Sequence, residues 1–86
     1  MYQVKINPKT AKFLKRLSAS DQKRLHKALK SLEKEPRPKG KNFKRLAKPI
    51  GGCRLRVGPL RILYLIDDEK KLVKVYRIGF RGDVYR

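Results

Sequence analysis

The sequence predicts an α+β domain: a small antiparallel β-sheet of about four strands with an N-terminal helical hairpin packed on one face, in the order β-α-α-β-β-β. Two observations predict it. Hydrophobic periodicity divides the chain into a helical first half and a strand-rich second half. The later strands are separated by short turn signals, which join antiparallel neighbours. Length adds a bound. The 86 residues make one domain, 1–86, too small to hold both a core and a large cofactor cavity.

The first element, Tyr2 to Ile6, alternates with period two and reads as a half-buried strand. Asn7-Pro8 follows, with Asn suited to an N-cap and Pro to the first helical position. A helix is predicted over Pro8 to Leu17, with Ala11, Leu14 and Leu17 recurring every three residues. Ser18 stands three before Asp21, a variant of the capping box, and opens a second helix over Ala19 to Lys34. There Leu25, Ala28, Leu29 and Leu32 follow the i, i+3, i+4, i+7 rule. Pro36 and Pro38 stop that helix. Pro36 to Ile50 has weak periodicity, pinned by Phe43 and Leu46. Cys53 to Val57 alternates strictly, and Gly58-Pro59 breaks it. Leu60 to Ile66 is apolar on both faces and reads as a central strand. Asp67 to Lys70 is a polar hairpin turn, Lys71 to Ile78 another strand, and Asp83-Val84-Tyr85 a possible short closing strand.

Charge is the most informative feature. Twenty-five Lys and Arg face 7 Asp and Glu, a formal net charge of +18. That points to a polyanionic partner. No acidic residue occurs from Pro36 to Ile66, a window rich in Lys and Arg. On the second helix, Lys23, Arg24, Lys27 and Lys30 read as a solvated face. The strands differ. Period two puts Arg54 and Arg56 on one face, with Cys53, Leu55 and Val57 turned into the core. Arg61 sits in an otherwise apolar strand, where it is costly unless its head reaches water or an anion. The three arginines are therefore expected on one open sheet face, either as a phosphate site or as ordinary solvated residues. Lys41, Lys44, Arg45, Lys48, Arg77 and Arg86 are the further candidates for contact with that polyanion.

Several classes are excluded. One Cys allows no internal disulfide, and one Cys with one His cannot make a zinc finger. No metal or cofactor is expected. No apolar run spans a membrane and no signal peptide is evident, so the cytoplasm is the expected compartment. Gly-rich phosphate loops, a Ser-His-Asp set and paired carboxylates are absent. His26 reads as a surface residue and Cys53 as a buried, inert thiol.

Two segments carry a resemblance. Arg54-Leu55-Arg56-Val57-Gly58-Pro59-Leu60-Arg61-Ile62-Leu63-Tyr64 resembles the R-I-R-V-G-D-Y-R-V-I-Y segment of the RelE/ParE toxin superfamily. Arg77-Ile78-Gly79-Phe80-Arg81-Gly82-Asp83-Val84-Tyr85-Arg86 is similar to its V-G-H-R-x-x-V-Y ending. The resemblance implies the fold above and a toxin of a type II toxin–antitoxin pair. RelE-type members cleave mRNA in the ribosomal A site, whereas ParE-type members poison DNA gyrase. Residue by residue, it carries the RelE-type catalytic roles to Arg54, Arg56, Arg61, Arg81 and Tyr85. ParE-type poisons generally lack that full set. The chain departs from the pattern at Cys53, where an aromatic is common, and at Phe80, where a His often stands.

The implied activity is a metal-independent endoribonuclease in which the mRNA 2′-OH attacks the adjacent phosphate. The implied partners are a cognate acidic antitoxin, the ribosome and mRNA, with no membrane. The free protein is expected to be a monomer, joining a hetero-oligomer with its antitoxin. A gyrase poison, a non-catalytic basic RNA-binding module and a degenerate toxin that still binds antitoxin remain as alternatives.

Overall fold

The computed structural model describes residues 1–47 and 51–80. Seven elements follow in order: β1 (Gln3–Ile6), α1 (Pro8–Lys15), α2 (Ala19–Lys34), β2 (Phe43–Arg45), β3 (Cys53–Val57), β4 (Leu60–Asp67) and β5 (Leu72–Phe80). The strands form one sheet in the order β1-β5-β4-β3-β2. The α+β class and the helical layer on one face are as expected from sequence. The sheet has five strands rather than about four, and one pairing is parallel.

Helix boundaries follow local chemistry. The Asn7 side chain accepts from the Thr10 amide at 2.8 Å, and Pro8 opens α1. α1 ends at Lys15, earlier than the predicted Leu17. Arg16 and Leu17 instead donate to Phe13 and Leu14 carbonyls three residues back, tightening the last turn. The Gln22 side chain then donates to the Leu17 carbonyl at 3.0 Å, satisfying an acceptor that the helix end would leave open. Ser18 caps α2 by accepting from the Asp21 amide. Glu35 turns extended before Pro36, with φ −139 and ψ 95.

β3, β4 and β5 are joined antiparallel through short turns. β4 is central, which accounts for its apolar residues on both faces. β1 lies parallel to β5, with Val4 beside Val73 and Ile6 beside Val75. That contact brings together the two ends of the chain. No hairpin turn announces it, so local signals point only to antiparallel neighbours. β2 pairs with β3 over three residues, too short to show a period. Neither strand boundary is far from expectation otherwise: β4 runs to Asp67, and β5 spans Leu72–Phe80. The possible strand at Asp83-Val84-Tyr85 lies outside the described residues. No helix among the described residues is long and apolar enough to cross a membrane.

The core lies between the helices and one sheet face. Leu25, Leu32, Leu60, Ile62, Tyr64 and Val73 are fully buried there. Phe13 of α1 meets Phe80 of β5 edge-on, with centroids 5.9 Å apart. Tyr64 carries a polar group into this core, and its hydroxyl donates to the Pro36 carbonyl at 2.8 Å. Burial pushes the Tyr64 hydroxyl up, so it stays a donor. This bond ties the exit of α2 to the central strand.

A second clamp closes the same end. Arg37 grips Asp68 in a bidentate pair at 3.2 and 2.8 Å, and the Tyr2 hydroxyl donates to the same carboxylate. The Lys71 ammonium sits 5.0 Å from the Tyr2 ring centroid. Hydrogen bonds from Arg37 and Tyr2 hold the Asp68 carboxyl down at about 2. Arg37, one of the basic residues of the central window, is thereby committed within the fold.

Two outcomes follow. Tyr64→Phe strips a buried carbonyl of its donor and is expected to destabilise the fold by about 1–3 kcal/mol, read from the urea midpoint at unchanged slope. The Asp68 contacts stabilise the fold fully above the ordinary carboxyl value of 3.8, and that contribution disappears as pH falls toward 2. Asp68→Asn is therefore expected to be less stable than wild type at pH 7, with the two denaturation midpoints converging between about pH 4 and 2.

Candidate functional site

The site is set by one hairpin. Gly58 has φ +59 and Pro59 has its ring-locked negative φ, the pattern of a two-residue type II′ turn. The turn fixes Val57 opposite Leu60 and hence Arg56 opposite Arg61, Leu55 opposite Ile62, and Arg54 opposite Leu63. Side chains alternate between faces. Cys53, Leu55, Leu60, Ile62 and Tyr64 go to the helices, and Arg54, Arg56 and Arg61 go to the other side.

The neighbouring strands extend this arrangement. Lys44 of β2 pairs with Arg54, and Leu63 pairs with Arg77 of β5. Lys44, Arg54, Leu63 and Arg77 therefore form one row across four strands. Arg56, Arg61 and Gly79 form the next. Gly79 has no side chain, so nothing from β5 stands beside Arg61 in its row.

These arginines are enclosed rather than freely solvated. Arg54 is only 8% exposed, and its Nε finds no hydrogen-bond partner among the described residues. The Nε atoms of Arg56 and Arg61 are also shielded from solvent. The buried Arg54 Nε is a donor that costs free energy while it lacks an acceptor. Phosphate oxygens are acceptors whose geometry matches the guanidinium fork.

The arrangement separates the sequence-derived candidates. Arg54, Arg56, Arg61, Lys44 and Arg77 share the face. Arg45 does not: it pairs with Cys53, so its side chain leaves on the helical side. Lys41 is exposed just before β2, beside Asn42, whose carbonyl accepts from the Arg56 amide at 2.9 Å. Lys48, Arg81, Tyr85 and Arg86 lie outside the described residues. Cys53 is buried, and desolvation pushes its thiol up, which keeps it protonated and unreactive. His26 is exposed on α2. Arg24 pairs with Asp21 at 3.6 Å and reaches the Gly58 turn, so it is more than a solvated helix residue. Phe80 belongs to the helical side through Phe13 and Leu60.

Two further cations on the arginine face were not singled out from sequence. Lys74 pairs with both Leu65 and Lys5, forming a third row. Alternation against Val73 and Val75, and against Val4 and Ile6, carried that signal. On the helical side, a groove of about 610 Å³ is lined by Ile6, Leu14, Ala19 and Leu29, with Lys15, Lys23 and Lys27 around it.

Comparison with known proteins places the chain among toxins of toxin–antitoxin systems. Residues 4–85 match the family model described as the ParE toxin of type II toxin-antitoxin system, parDE. The chain is 39% identical over 59 residues to Toxin RelG of Mycobacterium tuberculosis, covering 69% of this chain and 66% of that protein. It is 28% identical over 86 residues to Putative toxin RelE1 of Methanocaldococcus jannaschii, covering 99% and 96%. The archaeal RelE–RelB complex from Pyrococcus horikoshii contains a chain that superposes with a TM-score of 0.85 at 28% identity, covering 96% of this chain and 98% of that one. The toxin–antitoxin complex RelBE2 of Mycobacterium tuberculosis gives 0.78 at 27% identity, covering 93% and 98%. The chain belongs to the ParE toxin family of type II toxin–antitoxin systems, within the RelE/ParE superfamily.

Proposed function

We propose that this toxin is a ribosome-dependent endoribonuclease that cleaves mRNA in the A site and so inhibits translation. The observation that carries the reading is the row register of the sheet, with Arg54, Arg56 and Arg61 sharing one face and Arg54 nine-tenths buried without an Nε partner among the described residues. Such a face suits a transferring phosphate better than a neutral ligand.

The reaction is substrate-assisted. The mRNA 2′-oxygen attacks the adjacent phosphorus and loses its proton to a base. The P–O5′ bond breaks, and that oxygen takes a proton and leaves as a 5′-OH. The products are a 2′,3′-cyclic phosphate and a new 5′-hydroxyl end. Negative charge grows on the phosphoryl oxygens in the transition state, and Arg61 is placed to stabilise it. Arg56, directly across, holds the scissile phosphate, and Arg54 anchors a neighbouring one. Arg81 is suited to the companion charge-stabilising role, and Tyr85 to stacking on a base or orienting the 2′-OH. A guanidinium stays protonated, so these arginines position and stabilise rather than accept the 2′-OH proton.

Regulation by an acidic antitoxin belongs to the same reading. Similar solved chains are described as toxin–antitoxin complexes. The helical-side groove offers an acidic amphipathic segment apolar anchors inside a lysine rim.

Primer extension on programmed ribosomes tests the reaction. Cuts are expected only with ribosomes present, and Arg61→Ala and Arg81→Ala are each expected to slow cleavage by about 10²–10³-fold. Full activity in both variants would overturn the mechanism. The family model also carries the ParE name, which favours one alternative, a DNA gyrase poison. No ribosome-dependent cuts together with inhibited supercoiling would decide for it.

Binding gives an independent check. Lys44→Ala and Arg77→Ala, each removing one phosphate contact, should reduce the slope of log affinity against log salt for single-stranded RNA by about 0.7. Arg45→Ala, on the other sheet face, should leave that slope unchanged.

A further inference from the structure

Beyond the arginine rows, the same face carries an apolar step. Leu65 is 42% exposed, unusual for a large aliphatic residue in the central strand. It stands in the third row, between Gly52 and the pair Lys74 and Lys5. The β2–β3 ladder continues by one bond, Leu46 amide to Gly52 carbonyl at 3.0 Å, which sets Leu46 at the end of that row. Gly52 has φ +84, and a Cβ there would lie 2.9 Å from Leu65 Cδ2 and 2.7 Å from the Tyr64 carbonyl oxygen. The glycine leaves the space into which the Leu65 side chain lies. The result is a ledge one leucine wide, flanked by Lys74 in its own row and by Lys44, Arg54 and Arg77 in the next.

We propose that this ledge is a nucleobase platform: one base of the single-stranded message packs its face on Leu65 while flanking phosphates lie on Lys74 and Arg77. The RNA occupant rests on the mRNA-cleavage reading above. Two features favour a base over a protein segment. An amphipathic helix needs apolar anchors spread over several turns, and among the described residues Leu65 is the one large hydrophobic exposed on this face. The charges in its own row and in the next row toward the arginines are cationic, while Asp67 stands in the row beyond, so a polyanion backbone is drawn from the ledge toward the arginine end. Every base has a flat face, so the platform tolerates sequence while registering the message two rows away from the Arg56–Arg61 pair. Leu65 is thus a positioning residue that sets where the cut falls.

The test uses programmed ribosomes and messages carrying one abasic nucleotide, moved in turn through the A-site codon and its neighbours. Wild-type cleavage is expected to slow about fivefold at one such position, less than for loss of a base from an aromatic platform. Leu65→Ser is expected to slow cleavage of the intact message by a similar factor and to lose no more at that position. Leu65→Met, which keeps the apolar face, should restore the wild-type pattern. If Leu65→Ser stays as sensitive as wild type at every position, the platform is overturned while the endoribonuclease reading stands. Weakened antitoxin binding by Leu65→Ser with an unchanged abasic profile would give the ledge to a protein partner and overturn it too. Wild-type protein that cuts no message on ribosomes would instead overturn the cleavage reading itself.

Discussion

The register of the β3–β4 hairpin governs everything else. Five residues of β3 carry the alternation Cys-Arg-Leu-Arg-Val, and the Gly58-Pro59 turn locks it against Leu60 to Tyr64. A slip of one residue would invert the strand, burying Arg54 and Arg56 under the helices and exposing Leu55. The burial of Leu60, Ile62 and Tyr64 on one face and the gathering of Arg54, Arg56 and Arg61 on the other are one choice, made by the turn. The core therefore enforces the geometry of the charged face. A small sheet with a single helical layer has one face free of that layer, and here that free face is where cationic side chains collect.

The α2 exit serves the same end from the other side. Tyr64 reaches through the core to Pro36, and Arg37 reaches over the surface to Asp68. The central strand is held at both its buried hydroxyl and its terminal turn. A strand pinned in this way keeps Arg61 and Leu65 at fixed height relative to β3, and such precision matters for any group acting on a phosphate.

Much of this was legible in the sequence because period-two patterning and capping chemistry are local. Asn7-Pro8, Ser18 and the proline pair at 36 and 38 marked the helix ends, and β3 declared its faces without ambiguity. What escaped was non-local or irregular. The parallel contact of β1 with β5 joins the chain's two ends. β2 has three residues and takes its form from β3. Arg77 is the sharpest case. Strict alternation along β5 puts it on the same side as Val73 and Val75, toward the core. A bulge opposite Leu63 and Tyr64 shifts the count by one, so Val75 and Ile78 both face the helices and Arg77 joins the arginine rows. Arg45 goes the other way: it sits next to Lys44, yet its parity sends it to the helical side. Composition marked both residues, and only the ladder sorted them.

The distribution of acid along the sheet explains why so cationic a face can persist. Asp67, Asp68 and Glu69 cluster at the β4–β5 turn, where Asp68 serves the Arg37 clamp. Arg61 lies near the other end of β4, six residues and roughly 20 Å from Asp67. That exceeds the Debye length of about 8–10 Å at physiological salt, so the carboxylates do not neutralise the arginines. Among the described residues the sheet is thus polar lengthwise, with the Arg37–Asp68 clamp at one end and the Arg56–Arg61 pair at the other. Between them lies the row of Lys5, Lys74 and Leu65, where two lysines stand beside exposed apolar surface. A polyanion with flat apolar faces meets paired guanidiniums at the Arg56–Arg61 end and an apolar contact surface two rows away. That order matches phosphates being held at the arginines while a neighbouring base packs on the ledge.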